Sequence, residues 1–293
     1  MRGALLVSPA SGRGRAGRVA GTVAARLRPS FDRLDLHVAD SAEGAAALAR
    51  RAVDDGAEVL VVLGGDGAAH LAVQACAETP VALAVVPAGT GNDLAAALGM
   101  PAGTSAAVDA VVAALATGSR RRTDLGRVEG GPWFATVLCA GFDSAVNERA
   151  NAMRWPAGPR RYDLAVLAEL VRLRPARLVV RTERDELELE AVLVAVGNTA
   201  SYGGGIPVCP DADPADGLLD LTLVTAVGRG PLLGMLPRLR GGRHVEHPAV
   251  RVLRARSVHL AGDGGWVGYA DGERLRRLPL SVTSEPGALT AVT

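Results

Sequence analysis

Two glycine-rich turns that carry carboxylates have the clearest chemical potential in this sequence. The first, Gly64-Gly65-Asp66-Gly67, follows the apolar residues 59–63, and the second, residues 87–93 (Pro-Ala-Gly-Thr-Gly-Asn-Asp), follows the apolar residues 81–86. A glycine turn between a strand and a helix can present backbone N–H groups to a phosphate. The carboxylates would repel a bare phosphate, but they would suit a nucleotide that carries Mg²⁺. The two turns therefore predict phosphoryl transfer.

Individual residues of the turns have assignable roles. The glycines of the first turn would let the backbone approach phosphates without interference from a Cβ. Asp66 would bind Mg²⁺ directly or through water, because Mg²⁺ keeps several waters and takes few carboxylates. In the second turn, Thr90 and Asn92 offer hydroxyl and amide contacts, while Asn92 or Asp93 could instead cap the next helix. A purely structural turn is the alternative for the first motif.

The elements around these turns predict an α/β domain in which helices cover a parallel sheet. Short apolar strands alternate with helical segments from the N-terminus to about residue 121, which is typical of parallel sheets. Asp40, with Glu43 three residues later, resembles a capping box and predicts a helix that ends at Val53. An Ala- and Val-rich helix that begins at Ser105 is expected to end at Gly118.

Strands dominate the second half of the chain. Residues 178–182 and 187–196 predict a hairpin, because glutamate and leucine alternate along the start of the second segment and mark one solvated face. Residues 162–173 predict an amphipathic helix between the strands. Strand-rich sequence after an α/β half indicates a second, mostly antiparallel domain.

Composition sets the broad class of protein. A chain of 293 residues can form two domains with substantial cores. We expect a nucleotide-binding α/β domain of residues 1–121, to which residues 280–293 return, and a β-rich, antiparallel, sandwich-like domain of residues 122–279. Charges nearly cancel, with 32 basic and 31 acidic residues, which argues against nucleic acid as a partner.

Cysteine usage and apolar runs indicate the compartment. Cys76, Cys139 and Cys209 lie far apart without a Cys-x-x-Cys pair, which favours reduced core thiols in a cytosolic protein. No apolar run approaches the ~20 residues that cross a bilayer. The N-terminus reaches Ser8-Pro9 too soon for a signal-peptide core. We therefore expect a cytoplasmic protein that is soluble or peripheral at the inner membrane face.

Six blocks of residues resemble, in order, the diacylglycerol-kinase-like lipid kinases, a family that includes bacterial diacylglycerol kinases, sphingosine kinases and ceramide kinases. Two blocks are the glycine turns above, which are similar to the family's Gly-Gly-Asp-Gly-Thr and Pro-x-Gly-Thr-x-Asn-Asp-x-Ala motifs. The other four are Ser8-Pro9-Ala10-Ser11-Gly12, Ala140-Gly141-Phe142-Asp143, the segment that begins Tyr202-Gly203-Gly204-Gly205, and Asp271-Gly272-Glu273. One such block is a weak signal, but six in register are a strong one.

The resemblance implies an ATP- and Mg²⁺-dependent lipid kinase that binds its nucleotide between two domains. The acceptor would be a hydroxyl of an amphiphilic lipid such as diacylglycerol or a sphingoid base. Asp40 lies near a position where the family often has a nucleotide-contacting threonine, and helix capping is the alternative role for it. The other residues implied at the nucleotide are Gly64, Gly65, Asp66, Gly67, Ala68, Thr90 and Asn92.

The Asp-Gly-Glu block would supply the general base. A lipid hydroxyl becomes a good nucleophile only when a base accepts its proton, and a carboxylate near Mg²⁺ and phosphate can do this. The family's proton acceptor lies in this block, and Asp271 is our first choice, ahead of Glu273. The alternative is a hairpin turn, because Asp-Gly between strands is typical of a type I′ turn.

The resemblance also implies a second, structural Mg²⁺. In bacterial members, a segment similar to residues 213–218 binds this ion. Asp216 would give its carboxylate, and Asp213 and Leu218 would give backbone carbonyls, which is ordinary chemistry for a hard cation. An acidic loop without a metal is the alternative.

Three residues depart from the family's motifs, and two alternatives to a lipid kinase stay open. Ala68 replaces a threonine, Ala96 replaces an arginine that many members have, and Ser8 replaces an asparagine. Loss of a hydroxyl and a cation near the phosphates suggests a non-catalytic nucleotide- or lipid-binding homologue. A kinase for a soluble acceptor is the other alternative, because NAD kinases share a similar Gly-Gly-Asp-Gly turn. The Gly-Phe-Asp and Asp-Gly-Glu blocks favour the lipid kinases instead.

The expected partners are a lipid substrate and a membrane surface, and a homodimer is left open. Residues 230–240 place Leu232, Met235, Leu236 and Leu239 at helical spacing, with arginines around them. A basic amphipathic helix of this kind can lie on an anionic membrane surface. Burial of the helix in the second domain is the alternative.

Overall fold

Four parallel strands form the sheet of the first half. The computed structural model describes residues 1–153 and 160–293. The strands are β1 (Arg2–Val7), β2 (Arg33–Val38), β3 (Val59–Gly64) and β4 (Ala82–Pro87). They lie in the order β2-β1-β3-β4. β3 and β4 are buried along their whole length, as expected of apolar strands that helices cover on both faces.

Helices cover both faces of this sheet. They are α1 (Ser11–Leu27), α2 (Ala42–Asp54), α3 (Asp66–Cys76), the short α4 (Asp93–Ala97) and α5 (Thr104–Thr117). The chain moves outward from β1 to β2 and then back across β1 to β3, so right-handed crossovers place α1 and α2 on opposite faces. This reversal opens a crevice at the carboxyl ends of β1 and β3, where open α/β sheets bind ligands.

Antiparallel strands build the second half, together with further helices. The strands are β5 (Arg121–Val128), β6 (Trp133–Phe134), β7 (Val137–Gly141), β8 (Ala176–Thr182), β9 (Glu186–Gly197), β10 (Leu219–Thr225), β11 (Val250–Ala255), β12 (Ser257–Gly262), β13 (Val267–Ala270), β14 (Glu273–Arg277) and β15 (Leu280–Ala291). The helices are α6 (Phe142–Ala152), α7 (Arg160–Arg172) and α8 (Arg229–Leu239). The predicted hairpin is confirmed as β8 and β9.

Strand β15 joins the two halves into one continuous sheet. It pairs antiparallel with β12 and β5, and its end pairs in parallel with β4 through Thr290 and Ala291. The predicted fold class, a helix-covered parallel sheet followed by an antiparallel β-rich half, is confirmed. The segment that was expected to return to the first half contains this strand, and the exact domain limits stay predictions.

One helix cap differs from what the sequence suggested. Ser41, and not Asp40, is the N-cap of α2, because its Oγ accepts a hydrogen bond from Gly44 N at 3.0 Å. The start of α1 is irregular, since residues 12–14 have left-handed backbone angles before the regular helix continues. The end of α5 follows the prediction, with Gly118 in the left-handed conformation at φ 71°.

The basic helix of residues 230–240 is anchored in the second half. Leu232 and Met235 on α8 are buried in an apolar cluster that also contains Leu170 of α7. Burial, the alternative to membrane contact, is thus what the structure shows for these two side chains. Leu233, on the opposite face of α8, is exposed.

Candidate active site

The loops that follow β1, β3 and β4 meet at the carboxyl edge of the parallel sheet. Ser11 Oγ, after β1, accepts a hydrogen bond from Gly65 N at 3.3 Å. A methyl group on Gly89 would lie 2.6 Å from Gly65 Cα. Gly12 has a φ of 60° and lies against the carbonyl oxygen of Ala88. Side chains have no room where the loops touch, so the glycines are required by close packing as well as by backbone angles.

Asp66 ties the first turn to the second. Its carboxylate accepts hydrogen bonds from the backbone N–H groups of Asn92 and Asp93, each at 2.6 Å, at the start of α4. Burial raises the pKa of Asp66, repulsion from the Asp93 carboxylate raises it further, and the backbone hydrogen bonds oppose both effects. Asp66 therefore holds the second turn in position, a role that was not predicted from the sequence.

Of the other residues in the two turns, some form hydrogen bonds within the turn and others are exposed to solvent. Asn92 has a left-handed φ of 65°, and its side-chain amide bonds to both the N–H and the carbonyl of Gly89, at 2.9 and 3.1 Å. The amide of Asn92 therefore closes the turn. Thr90 at the tip and Gly67 at the start of α3 are exposed, whereas Ala68 is buried.

Asp93 connects the first half to the glycine-rich segment of the second half. Its nearly buried carboxylate accepts hydrogen bonds from Gly204 N at 2.9 Å and from Gly205 N at 2.7 Å. Both glycines have positive φ, 86° and 92°, where other residues would be strained. Helix capping and substrate contact were the predicted roles of Asp93. This bridge was not predicted, because its partners lie 111 residues away in the chain.

Asp271 is buried and heavily hydrogen-bonded. Its carboxylate accepts hydrogen bonds from the N–H groups of Ala135 and Thr136, at 2.9 and 2.8 Å, and from the Thr136 hydroxyl at 2.6 Å. His70 Nδ1 lies 3.0 Å from its Oδ2, and the Asp271 side chain is only 5% exposed. Asp271 and Gly272 have φ of 52° and 84°, as in a type I′ turn between β13 and β14. Groups of the protein itself thus bind both oxygens of the Asp271 carboxylate.

Glu273 lies near the first glycine turn. It is exposed at the start of β14, and a methyl group on Gly67 would lie 3.9 Å from its Oε1. A cavity of about 340 Å³ opens beside it. The cavity is lined by Glu148, Asn151, Tyr269, Gly272, Glu273 and Arg274. A carboxylate of the second half therefore faces the first glycine turn, and Glu273 is freer than Asp271 to accept a proton.

Asp40 lies exposed in the loop between β2 and α2. Its Oδ1 accepts a hydrogen bond from the Ser41 hydroxyl at 3.3 Å. Because β2 borders β1 in parallel, this loop lies at the same edge of the sheet as the glycine turns. A nucleotide contact of Asp40 stays a prediction.

A guanidinium occupies the segment for which a structural Mg²⁺ was predicted. Asp216 pairs with Arg254 and accepts a hydrogen bond from Leu218 N at 2.9 Å. Arg254 Nε also lies 3.3 Å from Asp220, and the Asp213 carboxylate closes a local turn. Across residues 1–153 and 160–293, no three His, Cys, Asp or Glu side chains converge as metal ligands. Arg254 thus supplies a positive charge next to Asp216, and a Mg²⁺ bound by Asp216 and the carbonyls of Asp213 and Leu218 stays a prediction.

The carboxylates of the glycine turns fit a Mg²⁺ that arrives with a nucleotide. Asp66 and Asp93 both lie next to Gly91, and their mutual repulsion raises the pKa of Asp66. A divalent cation would relieve this repulsion. Each oxygen of Asp66 accepts one N–H bond and keeps a second lone pair, which suffices for contact through the water shell that Mg²⁺ retains.

Comparisons with known proteins decide the family. The family model described as "Diacylglycerol kinase catalytic domain" matches residues 2–128, and that described as "YegS C-terminal NAD kinase beta sandwich-like domain" matches residues 136–293. A Mycobacterium tuberculosis protein named diacylglycerol kinase is 42% identical over 292 residues, covering 97% of this chain and 92% of the relative. The chain belongs to the diacylglycerol-kinase-like lipid kinase family.

More distant proteins agree with this lipid kinase assignment. A diacylglycerol kinase of Staphylococcus saprophyticus is 25% identical over 281 residues, which is 95% of this chain and 90% of the relative. The crystal structure of a Bacillus anthracis diacylglycerol kinase matches with a TM-score of 0.76 at 20% identity, covering 99% of this chain and 96% of that chain. This last likeness shows the shared fold. None of the helices in the described residues is long and apolar enough to cross a membrane.

Two residues of this lipid kinase site were not predicted from the sequence. His70, on α3, contacts Asp271, and Gln74, one turn later, exchanges hydrogen bonds with the backbone N–H and carbonyl of Trp133, both at 2.9 Å. Both side chains connect the helix of the phosphate turn to the second half. A signal was present, because α3 is otherwise apolar after Asp66 and a polar pair one turn apart on such a helix indicates a partner in another element.

Proposed function

We propose that this chain is an ATP-dependent kinase that transfers the γ-phosphoryl group to a hydroxyl of an amphiphilic lipid, such as diacylglycerol or a sphingoid base. The observation that carries the proposal is the position of Glu273, on the second half, beside Gly67, on the glycine turn of the first half, at the rim of a cavity. ATP and an acceptor hydroxyl could meet there. Membership of the lipid kinase family supports the choice of donor and acceptor.

The first glycine turn would bind the phosphates of ATP. Backbone N–H groups at the start of α3 are directed out of the helix, and the positive end of the helix dipole favours anions there. Gly67 lies exposed at this end. Asp66, with Asp93 beside it, would hold Mg²⁺ through water, and the ion would neutralise charge on the phosphates. Asp66 would at the same time keep Thr90, on the second turn, within reach of the nucleotide.

Glu273 would accept the proton of the acceptor hydroxyl. The hydroxyl oxygen attacks the γ-phosphorus, the bond from that phosphorus to the bridging β-phosphate oxygen breaks, and ADP leaves. The proton passes from the hydroxyl to the Glu273 carboxylate. Asp271 would act as a positioning residue, because it ties the β13–β14 turn to Thr136 and to His70 on α3. It thereby sets where Glu273 lies relative to Gly67.

The cavity beside Glu273 suits the polar end of a lipid. Its volume of about 340 Å³ can take a glycerol or amino-alcohol headgroup, while the hydrocarbon chains stay outside. Relatives named diacylglycerol kinase support diacylglycerol as the first acceptor to test. We place the activity at the cytoplasmic face of the membrane, where ATP and such a lipid are both accessible.

A lipid panel tests this proposal. Purified protein is incubated with Mg²⁺, labelled ATP and micelles that contain diacylglycerol, a sphingoid base or ceramide. We expect one lipid class to become labelled by the wild type and not by Glu273→Gln. Unlabelled lipids together with intact ATP hydrolysis would contradict the proposal.

The same assay separates the two alternatives. Phosphorylation of NAD in the absence of lipid would indicate a kinase for a soluble acceptor. ATP binding in a calorimeter without transfer to any lipid, even after Ala68→Thr, would indicate a non-catalytic homologue. Activity that appears only after Ala68→Thr would instead indicate an enzyme weakened by loss of the threonine hydroxyl.

A further inference from the structure

Helix α7 exposes its apolar residues rather than burying them. Leu164, Leu167 and Val171 are 43, 55 and 67% exposed. Their spacing of three and four residues places them on one face of the helix. Ala165 and Leu170, away from this face, are buried. We call the three exposed side chains the α7 stripe.

Glu169 of the same helix points inward instead. Glu169 lies nearly opposite the stripe on an α-helix; its side chain is 14% exposed and pairs with Arg149 of α6. A helix that needed only to be soluble would carry Glu169 outside and its leucines inside. The reversed arrangement is typical of a surface that meets an apolar partner.

Arginines border the α7 stripe. Arg172 and Arg174 are exposed at its C-terminal end. Arg229, also exposed, donates a hydrogen bond to the carbonyl of Val171 at 2.5 Å and so lies at the same end. Leu233 of α8 adds an apolar side chain that is 45% exposed. Leucine and valine side chains with a rim of guanidinium groups match the boundary between the acyl chains and the headgroups of an anionic bilayer.

Helix α7 packs against a helix that lines the cavity of the candidate active site. Helix α6 contributes Glu148 and Asn151 to that cavity. The same helix packs against α7 through Val146, Ala150 and Ala165. Helices α6 and α7 therefore form one packed unit at the edge of the candidate active site.

We propose that the α7 stripe docks the protein on an anionic lipid bilayer, with Leu164, Leu167 and Val171 in the interface and the arginines against anionic headgroups. This inference rests on the proposed function, because the acceptor there is itself a lipid. A second copy of the chain is the alternative occupant, and the oligomeric state measured below tests it. Docking by α7 also differs from the contact first expected of α8, whose Leu232 and Met235 are buried.

Vesicle co-sedimentation tests the docking surface. The probes are vesicles of phosphatidylcholine alone and of phosphatidylcholine mixed with phosphatidylglycerol. We expect the wild type to bind the anionic vesicles and the triple variant Leu164→Ser, Leu167→Ser, Val171→Ser to bind them at least ~10-fold less. The matched control is Leu36→Ser with Val38→Ser on β2, which are 47 and 55% exposed; it should bind like the wild type.

Substitution of the arginines should have a separate effect on vesicle binding. The double variant Arg172→Ala, Arg174→Ala should lose the preference for anionic vesicles, and the salt dependence of the remaining binding should flatten, because screening acts on exposed charges. If the triple serine variant melts early, Val171→Ser alone, at the most exposed position, replaces it in the vesicle experiment. This single variant should lose part of the binding to anionic vesicles.

Three results would overturn the docking proposal. They are a wild type that binds no vesicles, serine variants that bind as well as the wild type, and a triple variant that turns a dimer into a monomer by light scattering while vesicle binding is unchanged. The kinase proposal is tested apart, with a short-chain diacylglycerol presented without vesicles. There the triple variant should turn over like the wild type. Failure of both proteins with every lipid would sink the proposed function and leave the vesicle result standing.

Discussion

At the scale of single residues, the three carboxylates of the site differ in how much of each is already engaged by the protein. Asp271 accepts hydrogen bonds from two backbone N–H groups and a hydroxyl and contacts His70. Asp66 accepts from two N–H groups at the start of α4. Glu273 is exposed at the cavity. Substitution of Asp271 should therefore mainly lower stability, and substitution of Glu273 should mainly lower turnover. Substitution of Asp66 should lower both.

Asp66→Asn should reduce both turnover and stability. Removal of a preorganised charge next to the phosphates should cost at least ~10²-fold in kcat. An asparagine amide can accept through one oxygen only, so one hydrogen bond to the start of α4 is lost, at about 1–3 kcal/mol. The measurements are kcat at saturating Mg²⁺–ATP and the free energy of unfolding. Equal kcat values would remove Asp66 from the mechanism.

Glu273→Gln and Asp271→Asn form a contrasting pair. Loss of a general base should lower kcat of Glu273→Gln by about 10²–10⁴-fold and leave the melting temperature unchanged, because the side chain is exposed. Asp271→Asn should lower the free energy of unfolding by about 1–3 kcal/mol, since buried N–H groups of Ala135 or Thr136 lose an acceptor. A fully active Glu273→Gln beside a stable, inactive Asp271→Asn would return the base to Asp271.

At the scale of elements, loops far apart in sequence are held by carboxylates that accept backbone N–H groups. Asp124 on β5 accepts from Gly217 N and from Gly287 N on β15, both at 2.7 Å. Next to it, Arg254 on β11 reaches Asp216 and the buried Asp220. Burial raises the pKa of Asp220, and the guanidinium opposes that shift. The guanidinium of Arg254 therefore supplies the positive charge next to residues 213–218.

Arg254→Ala should destabilise the protein and make it sensitive to metal. The buried Asp220 would lose its ionic partner, at about 1–3 kcal/mol, and the exposed Asp216 oxygen would become accessible to Mg²⁺. The measurement is the melting temperature without nucleotide, in EDTA and in Mg²⁺. Arg251→Ala, an exposed residue of the same strand, is the control. A wild type with a lower melting temperature in EDTA than in Mg²⁺ would support the metal site predicted at Asp213, Asp216 and Leu218.

At the scale of the whole molecule, several links cross between the two halves around the candidate site. β15 carries the hydrogen-bond ladder from β12 to β4. Asp93 holds the glycine-rich segment at Gly204, His70 contacts Asp271, and Gln74 binds the backbone of Trp133. A nucleotide bound at the turns would thus lie among contacts that fix one half against the other, so loss of one link should change binding as well as stability.

Asp93→Ala should raise the KM for ATP and alter the pH dependence of stability. Its loss frees the glycine-rich segment and removes the repulsion that contributes to the raised pKa of Asp66. A carboxyl whose pKa is raised by folding binds its proton more tightly in the folded state, so stability falls as the pH rises from the unfolded pKa through the folded one. That fall should be smaller in Asp93→Ala. Melting temperatures from pH ~4 upward check this, and an unchanged KM together with an unchanged pH profile would contradict the role.

Much of the architecture could be predicted because its signals are local. An apolar strand followed by glycines and a carboxylate is a short-range pattern, and it located the turns at Asp66 and Asn92 directly. Alternation of strands and helices indicated the parallel sheet, and alternation of glutamate with leucine indicated the hairpin of β8 and β9. These features depend on residues within a few positions of one another. They also carried the family resemblance that the comparisons confirmed.

The sequence by itself determined the order of the motifs, the class of chemistry and the two kinds of sheet. Only the tertiary structure decided which carboxylate is buried and which one faces the first glycine turn. Asp271 and Glu273 are two residues apart, yet one is buried against Thr136 and His70 while the other faces Gly67. Burial and hydrogen-bond partners depend on elements that meet across the fold, and spacing along the chain does not report them. For the same physical reason, only the packed structure shows that Arg254 neutralises Asp216 and that the leucines of α7 point outward.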